Sequence, residues 1–454
     1  MSYEVSGRVV LPNGVRNASL TTNAGIIIEV KAEGEVESDS ILIFPGFVDA
    51  HVHAREYPRP RNGEAVLKWK STIQKETFVS AGKAAINGGV TLFAAMPNDA
   101  APPAAPLTYA AKVSIASECP CPTILLAAVT RDSEPWADLP YKVYLDSHPS
   151  PFTLTSWKET EAVLRRYKGC RLFFHAEDPE YLMRSVGEGP RWLVRPPEAE
   201  IRAVDKLLNL TAKFGIRAHI CHVSTASAVH LINEFNRAST VPVTSEVTPH
   251  HVFFSVRQGE VIGPSGQRPA AESLLECNPP LRSEDDRRFL LEALREGSVD
   301  ILASDHAPHT LRDKMGGAPG MPHLDTFGAF AGWLLKECAF SPTRVAQILA
   351  ETPGAILAPD LDRPQGRIEV GARASFTILN LEGETYVDEY GIRGRGPLET
   401  LCGWSPFSGI SLPGSVKATV IHGVEYSFEG NPFLRCHGSG AVRKTNRGNA
   451  ATER

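Results

Sequence analysis

Short apolar runs that alternate with longer helical patterns fill the sequence from about residue 41 to residue 351. The apolar runs are Ile41–Phe47, Val90–Ala95, Thr123–Val129, Tyr141–Leu145, Arg171–Phe174, Arg217–Cys221, Val241–Val247 and Asp300–Ala303. The helical patterns between them include Ser156–Tyr167, Ala226–Arg237 and Glu284–Arg295. Strands that alternate with helices form parallel sheets, because each helix carries the chain back to the same sheet edge. Eight such units predict an α/β fold, specifically a (β/α)₈ barrel of the TIM type.

The two ends of the chain have a different pattern. Residues 1–44 contain short alternating segments with turn signals such as Pro12-Asn13-Gly14, and residues 366–430 contain similar segments. We therefore predict that both ends pair into one small β-sandwich-like module, while residues 45–365 form the barrel. Residues 431–454 carry few apolar side chains and predict a disordered tail.

The charge balance and the hydropathy limit the kinds of partner. The chain has 47 Lys and Arg against 52 Asp and Glu, a net charge of −5, which gives no general attraction to nucleic acid or anionic lipid. No apolar run approaches the roughly 20 residues that cross a bilayer, and the N-terminal sequence lacks a secretory pattern. We expect a cytoplasmic protein that acts on a small molecule, with no nucleic-acid or membrane partner.

Residue types that bind metals stand at the carboxyl ends of the predicted strands, where barrel enzymes place their active sites. They are His51 and His53 after the first strand, His175 and His222 at the fifth and sixth, Asp305 after the eighth, and Lys142 within the fourth. One histidine at a strand end is usually only a hydrogen-bonded residue. Their joint placement favours a metal centre, and imidazole and carboxylate ligands in this proportion suit zinc, with manganese or cobalt as substitutes.

Lys142 has two interpretations. Its ammonium could extend outward from an apolar stem. Alternatively, its amine could react with carbon dioxide to give a carbamate whose two oxygens bridge two ions, an interpretation that needs a known precedent.

Several spaced motifs resemble the amidohydrolase superfamily of cyclic amide hydrolases. Pro45-Gly-Phe-Val-Asp-Ala-His-Val-His-Ala-Arg55 resembles its opening signature, and Ala303-Ser-Asp-His-Ala-Pro-His309 its closing one, in the form typical of dihydroorotases and allantoinases. Further segments resemble dihydroorotase motifs in the same order, at residues 96–98, 175–177, 195–200, 220–224, 246–251 and 278–282. The resemblance covers the whole barrel.

The resemblance to dihydroorotases implies reversible cyclisation of N-carbamoyl-L-aspartate to L-dihydroorotate, a step of de novo pyrimidine biosynthesis, at a binuclear zinc centre. The bridging group would be the Lys142 carbamate, shared by an ion at His51, His53 and Asp305 and an ion at His175 and His222. Asp305 would also be the catalytic proton shuttle.

Some dihydroorotases bind a third zinc at the positions that correspond to Cys221 and Glu246 in this sequence. The alternative for Cys221 is a small buried apolar residue. The alternative for Glu246 is a carboxylate that orients a ligand histidine.

Substrate choice within the superfamily depends on other residues. Arg55 stands where dihydroorotases clamp the ring carboxylate, with a planar fork suited to a bidentate contact; its alternative is a surface ion pair with Glu56. The other substrate contacts that the resemblance implies are Asn98 and His309 for the carboxylate, Asn278 for the ring amide, and the loop at Pro319 and Gly320. Arg55 together with Asn98 favours dihydroorotate over allantoin. A dihydropyrimidinase or hydantoinase activity is less favoured, because no clear counterpart of its substrate-binding tyrosine follows Lys142.

A different class of function is a non-catalytic partner of aspartate transcarbamoylase. Such chains usually lose ligands, whereas this chain keeps every expected ligand type. A homodimer and an assembly with aspartate transcarbamoylase both stay open. Two departures from the family pattern are the long stretch at residues 57–69 and His323, where a glycine is usual.

Overall fold

The computed structural model describes residues 2–32, 40–56, 75–99, 101–185, 187, 189–428 and 435–436. The stretch at residues 57–69 lies outside the described residues, and so does the expected tail apart from residues 435–436.

The strands are β1 Ser2–Leu11, β2 Gly14–Asn23, β3 Ile26–Ala32, β4 Ile41–Pro45, β5 Phe47–Val52, β6 Val90–Ala95, β7 Thr123–Leu125, β8 Ala127–Ala128, β9 Pro140–Leu145, β10 Thr153–Leu154, β11 Arg171–Ala176, β12 Arg217–Ile220, β13 Thr244–Val247, β14 Ser255–Arg257, β15 Glu260–Ile262, β16 Ile301–Leu302, β17 Phe376–Asp388, β18 Gly391–Ile392, β19 Ser411–Ile421, β20 Val424–Ser427 and β21 Arg435–Cys436. The α-helices are α1 Phe78–Asn87, α2 Pro106–Ala116, α3 Trp157–Arg166, α4 Pro179–Arg184, α5 Arg191–Val194, α6 Pro197–Phe214, α7 Ala226–Ala238, α8 Pro249–Phe253, α9 Glu284–Glu296, α10 Leu311–Met315, α11 Phe327–Lys336, α12 Pro342–Ala346 and α13 Thr352–Leu357.

Parallel strands close into the predicted barrel. Strands β5, β6 and β7 pair in parallel, and so do β8, β9, β11, β12, β13 and β16 in that order. Leu126 separates β7 from β8, and its amide donates to the Ala95 carbonyl at 3.0 Å. The ring closes where the His53 amide donates to the His306 carbonyl at 2.8 Å. The (β/α)₈ architecture is therefore confirmed, with the third predicted strand present as two short pieces.

The first predicted strand, Ile41–Phe47, is wrong as a single element. Strand β4 pairs with β1 and β17 in the terminal module, whereas β5 begins the barrel. Gly46 lies between them, and a side chain there would collide with the side chain of Thr91. Hydropathy could not reveal the division, because the apolar run continues across Gly46 from β4 into the first residues of β5, and both strands are almost wholly buried.

Both ends of the chain contribute to one large sheet of order β21-β20-β19-β17-β4-β1-β2-β3, with β18 paired to β17. Its own apolar core includes Val9, Leu20 and Phe376. The sheet is fixed to the barrel by buried hydroxyls, since Thr377 donates to the Gly89 carbonyl at 2.6 Å and Thr419 to the Ile86 carbonyl at 2.7 Å. The module built from both ends is thus present, anchored at the carboxyl end of α1 and just before β6.

The predicted helices are confirmed with small shifts at their ends. Ser156 caps α3, Thr225 caps α7 and Ser283 caps α9, each side chain accepting a hydrogen bond from a backbone amide of the first turn. These caps fix where each helix begins and so how each following strand is positioned. Within the described ranges, no helix is both long and apolar enough to cross a membrane.

Candidate metal centre

His51, His53 and Asp305 converge at the carboxyl end of the barrel. Asp305 Oδ1 lies 3.1 Å from His53 Nε2 and 3.4 Å from His51 Nε2. All three side chains are buried, and their ligand atoms lie within 4.8 Å of one another. Two imidazole nitrogens and a carboxylate oxygen at this spacing match three ligands of one ion.

His175 and His222 form a second pair beside the first group. His175 Nδ1 lies 3.1 Å from His222 Nε2, and the rings of His51 and His222 are 5.3 Å apart between centroids. Within the described residues, the other nitrogen of His222, Nδ1, completes no hydrogen bond, whereas His175 Nε2 lies 3.2 Å from Glu177 Oε2. Buried polar atoms without partners are rare and indicate a missing ligand or ion.

Lys142 reaches the same region from β9. Its side chain is fully buried, its Nζ lies 2.9 Å from Cys221 Sγ, and the ring of Tyr144 is 5.2 Å away. Neither neighbour is a counter-ion, so a charged ammonium here is poorly compensated. The structure thus brings together all six residues that the sequence analysis assigned to the metal centre.

Outer partners fix the orientation of the ligand histidines. Glu246 Oε1 contacts His51 Nδ1, and Glu246 Oε2 lies 2.9 Å from His219 Nε2. Asn98 Oδ1 lies 2.6 Å from His53 Nδ1. The contacts with His51 and His53 occupy Nδ1 and leave Nε2 facing the site, which is the usual arrangement around a protein-bound metal.

Cys221 and Glu246 therefore lie near His51, as the sequence analysis expected of a third metal site. One ligand atom from each of these three residues falls within 4.8 Å of the others. Both Glu246 oxygens are already engaged, however, by His51 and His219. This geometry favours the orienting role of Glu246.

The sequence analysis missed a second group that positions a ligand. Arg195 donates to Glu177 and, at 2.9 Å, to Asp146, and Glu177 Oε2 lies 3.2 Å from His175 Nε2. Burial raises the pKa of Glu177, but Arg195 and His175 outweigh it, so the pKa lies well below its ordinary value. The available signal was that Glu177 and Arg195 both lie in motif segments to which no role was given.

The electrostatics suit metal binding. Burial lowers the pKa of His53 to about 4, so its imidazole is neutral near pH 7 and free to bind a cation. Burial raises the pKa of Asp305, but His51 and His53 outweigh it and hold the pKa at about 2. The site therefore combines a neutral imidazole with an ionised carboxylate.

Three residues of the site have a strained backbone. Arg55, His222 and Asp305 have φ values of 54°, 38° and 46°, in the left-handed region that side chains other than glycine seldom adopt. Each costs on the order of 1–3 kcal/mol, and such strain persists where the surrounding structure holds a functional geometry.

Arg55 and His309 form a positively charged corner beside the ligands. Arg55 Nη2 lies 3.0 Å from His309 Nε2, and Lys75 Nζ lies 3.2 Å from His309 Nδ1. Arg55 Nε is buried without a hydrogen-bond partner in the described part of the chain. Burial and the two cations lower the pKa of His309, which keeps it neutral. The corner offers donors to an anion.

Two positively charged side chains that the sequence analysis did not assign form hydrogen bonds with the remaining predicted substrate residues and their loop. Arg191 donates to the Asn278 side-chain oxygen at 2.8 Å. Lys314 is buried and donates to the carbonyls of Glu276, Ala318 and Gly320 at 2.8, 2.9 and 2.9 Å.

The loop of Pro319 and Gly320 is closely packed. Gly320 has φ 129°, and a side chain there would collide with Ala307. The Gly320 amide donates to the Glu276 carbonyl at 2.8 Å, so both of its polar backbone groups are bonded within the protein. Asn278 and this loop are therefore held together beside the metal ligands.

The fold and this cluster define a barrel hydrolase with a candidate binuclear metal centre, and comparison with known proteins agrees. The profile of the amidohydrolase family matches residues 42–126. The chain is 30% identical to the dihydroorotase of Thermococcus kodakarensis over 92% of this chain and 93% of that protein, and 30% identical to that of Archaeoglobus fulgidus over 85% and 89%. The chain belongs to the dihydroorotase family of the amidohydrolases.

Solved structures of similar fold include the L-hydantoinase (dihydropyrimidinase) from Arthrobacter aurescens, with a TM-score of 0.79, 21% identity, and coverage of 94% of this chain and 96% of that one. The D-hydantoinase from Thermus sp. has a TM-score of 0.73 and 19% identity, with coverage of 92% and 93%. These likenesses support the barrel fold with its terminal module.

Proposed function

We propose that this protein is a dihydroorotase, which interconverts N-carbamoyl-L-aspartate and L-dihydroorotate in pyrimidine biosynthesis. The observation that carries the proposal is the partly buried Arg55–His309 corner, 3.0 Å between their nitrogens, directly beside the strand-end histidines and Asp305. The ring carboxylate distinguishes dihydroorotate from allantoin, hydantoins and dihydropyrimidines. Only such a substrate needs a cationic fork at this place.

Binding follows from the donors on the chain. The planar guanidinium of Arg55 presents its unpartnered Nε–H to the ring carboxylate, and His309 lies beside it. Asn98 keeps its amide nitrogen for the same group while its oxygen holds His53. Asn278, oriented by Arg191, reads the ring amide, and the loop of Pro319 and Gly320 closes the pocket.

The metal ligands fit a binuclear zinc centre. His51, His53 and Asp305 would hold one ion, His175 and His222 the other, and a carbamate on Lys142 would bridge them. The unsatisfied Nδ1 of His222 and the buried Lys142 amine, which contacts Cys221 and the ring of Tyr144, support this set. The ions supply the chemistry that lowers the pKa of water to near neutrality and polarises the ring carbonyl.

Asp305 moves the proton. Its carboxylate is ionised near neutral pH and lies between the ligand histidines, so it can accept the proton of the attacking water and pass it to the leaving ring nitrogen. In the direction of ring closure, Asp305 takes the proton of the ureido nitrogen instead. Strain at Asp305, with φ 46°, directs this side chain toward the histidines.

Location, assembly and the third zinc stay predictions. A cytoplasmic location, a homodimer and an assembly with aspartate transcarbamoylase are compatible with an active enzyme. A third zinc at Cys221 and Glu246 competes with the orienting role of Glu246.

The decisive experiment compares hydrolysis of L-dihydroorotate, allantoin and dihydrouracil by the same purified protein, followed by ultraviolet absorbance. We expect dihydroorotate to be turned over with the highest kcat/KM. Preferred turnover of allantoin or dihydrouracil would refute the substrate assignment and leave the cyclic amidohydrolase chemistry. No turnover of any substrate by metal-loaded protein would favour the non-catalytic partner instead.

A further inference from the structure

Two consecutive residues before α1, Lys75 and Glu76, each contact a histidine of the closing segment, residues 303–309. Lys75 Nζ lies 3.2 Å from His309 Nδ1, and Glu76 Oε2 lies 3.1 Å from His306 Nε2. Glu76 is fully buried and connects the start of α1 to this segment. Lys75 is therefore held beside His309, in the corner that the proposed function assigns to the substrate carboxylate.

The amine of Lys75 is a protonated donor. Its Nζ lies 3.3 Å from Asp313 Oδ2, in the first turn of α10. Burial raises the pKa of Asp313, but hydrogen bonds from Thr310 and the charge of Lys75 outweigh it and hold the pKa below its ordinary value. An ionised carboxylate favours the charged form of a neighbouring amine. Since an ammonium group has three N–H groups and no lone pair, Lys75 can only donate to His309 Nδ1.

His309 lies between two cations that can only donate. Arg55 Nη2 lies 3.0 Å from its Nε2, on the side of the ring away from Lys75. Burial, followed by the charges of Arg55 and Lys75, lowers the pKa of His309, so the ring is neutral and has one N–H and one lone pair. Only one of the two contacts can therefore be a hydrogen bond to the ring. At the other nitrogen, two N–H groups face each other.

The neighbouring His306 shows how a donor at Nδ1 fixes a tautomer. Its Nδ1 accepts from the amides of His323 and Leu324 at 3.0 and 3.2 Å. Nδ1 therefore carries no proton, and Nε2–H donates to Glu76. By the same rule, a hydrogen bond from Lys75 to Nδ1 of His309 places the proton of His309 on Nε2.

The loop of Pro319 and Gly320 favours this tautomer of His309. The Pro319 carbonyl attracts a ring proton and partly offsets the lowering of the pKa of His309. A side chain at Gly320 would come within 3.3 Å of His309 Cδ2, the carbon bonded to Nε2. The carbonyl that precedes Gly320 therefore lies nearer the Cδ2 edge of the ring than the Nδ1 edge, and it stabilises a proton on Nε2.

We propose that Lys75 is a positioning residue that fixes the proton of His309 on Nε2 and so makes His309 a hydrogen-bond donor to the substrate carboxylate. For the identity of the substrate, this role rests on the proposed function. The Nε2–H of His309 and the N–H groups of Arg55, including the unpartnered Nε–H, then meet in one corner. A carboxylate accepts from all of them. A ring without a carboxylate would leave N–H facing N–H, so the arrangement selects against hydantoins and dihydropyrimidines.

Nitrogen-15 NMR of the full-length, zinc-loaded protein with labelled histidines measures the tautomer directly, because protonated and unprotonated ring nitrogens have separate chemical shifts. His309→Gln identifies the resonances of His309. We expect a proton on Nε2 in the parent and in Lys75→Arg, and a shift towards Nδ1–H in Lys75→Met, where Nε2 can accept from Arg55. Lys83→Met changes an exposed lysine of α1 and is the matched control, with the tautomer unchanged.

Kinetics on the same proteins give the second measurement. In Lys75→Met the carboxylate loses one donor, so KM for L-dihydroorotate should rise about 10- to 100-fold with kcat near that of the parent. Lys75→Arg should recover most of the binding, because a guanidinium also donates to Nδ1. Lys83→Met should have the KM of the parent.

A proton on Nδ1 of His309 in the parent would overturn the proposal, and this result does not depend on whether any variant folds. A raised KM in Lys75→Met with an unchanged tautomer would also overturn it, and would leave Lys75 acting through its charge alone. Preferred turnover of allantoin by the parent would refute the proposed function. The tautomer is measured without substrate, so the two failures are distinguishable.

Discussion

Charged and polar side chains at the two ends of the barrel differ in their surroundings. At the amino-terminal end, Arg171 forms a bidentate pair with Asp360 at 2.6 and 2.7 Å, and the more exposed Arg217 pairs with Asp138 at 3.1 Å. Buried nitrogens without a hydrogen-bond partner in the described residues include Arg171 Nε at this end, whereas His222 Nδ1 and Arg55 Nε at the carboxyl-terminal end lie among the candidate metal and substrate residues.

Part of the backbone strain lies at the carboxyl-terminal end. Of the seven left-handed residues other than glycine in the described part of the chain, Arg55, His222 and Asp305 belong to the candidate site. A closed pair stabilises the fold, whereas strained residues and unpartnered donors persist where a ligand or ion completes them. The same substitution should therefore have opposite consequences at the two ends: loss of activity at one and loss of stability at the other.

The largest effect is expected at Lys142. Lys142→Ala removes the amine proposed to form the bridging carbamate, so turnover of dihydroorotate should fall below detection while the thermal unfolding temperature stays close to that of the parent. Short carboxylic acids should restore part of the activity by occupying the bridging position. Ordinary turnover in this variant would show that Lys142 is only a buried structural residue.

Asp305→Asn should have the next largest effect. The amide can still coordinate weakly but cannot carry a proton, so kcat should fall on the order of 10²–10⁴-fold while a non-hydrolysable substrate analogue still binds. Turnover, metal content and analogue affinity are measured on one preparation. Near-normal turnover at full metal occupancy would assign proton transfer to another group, and parallel loss of metal and activity would leave Asp305 a ligand only.

Arg55→Lys tests substrate binding separately from the chemical step. The charge remains but the planar fork is lost, so KM for dihydroorotate should rise about 10- to 100-fold with unchanged metal content. Arg171→Lys is the matched control at the opposite end, where the same change should leave KM unaltered. Equal kinetics for Arg55→Lys and the parent would remove the main reason to prefer dihydroorotate over allantoin.

The strand-end ligands at the carboxyl-terminal end of the barrel were more predictable from sequence than the residues that hold them in place. A strand followed by His51 and His53 needs only local geometry, because alternate residues of an extended chain point the same way. The sequence also supplied the other strand-end ligands, whereas Lys142 lies within β9 and its role came from the family resemblance. Each strand-end residue is placed by its position along its own strand, and the hydropathy pattern shows where that strand lies.

The outer partners were less predictable, because they come from distant parts of the chain. Lys314 and Arg191 hold the loops through carbonyl and amide oxygens, and nothing in their local sequence marks those contacts. The division of Ile41–Phe47 at Gly46 was missed for a similar reason, as it depends on packing against Thr91. The contact of Lys75 with His309 likewise joins residues 234 positions apart.

The smallest effect on turnover is expected at the amino-terminal end. Arg171→Met leaves the Asp360 carboxylate, about 10% exposed, without its bidentate partner. Removing one member of a buried pair costs about 3 kcal/mol, at the low end of the usual range because the pair lies at the rim of the barrel. The free energy of unfolding should fall by this amount, as followed by urea denaturation, while kcat and KM per folded molecule stay unchanged.

The double variant with Asp360→Leu should recover part of the loss, since no unpaired charge remains. If Arg171→Met instead lowers kcat at full folding, the two ends are coupled through β11, whose first residue is Arg171 and whose fifth is His175; the division between a stabilising end and a catalytic end would then be wrong.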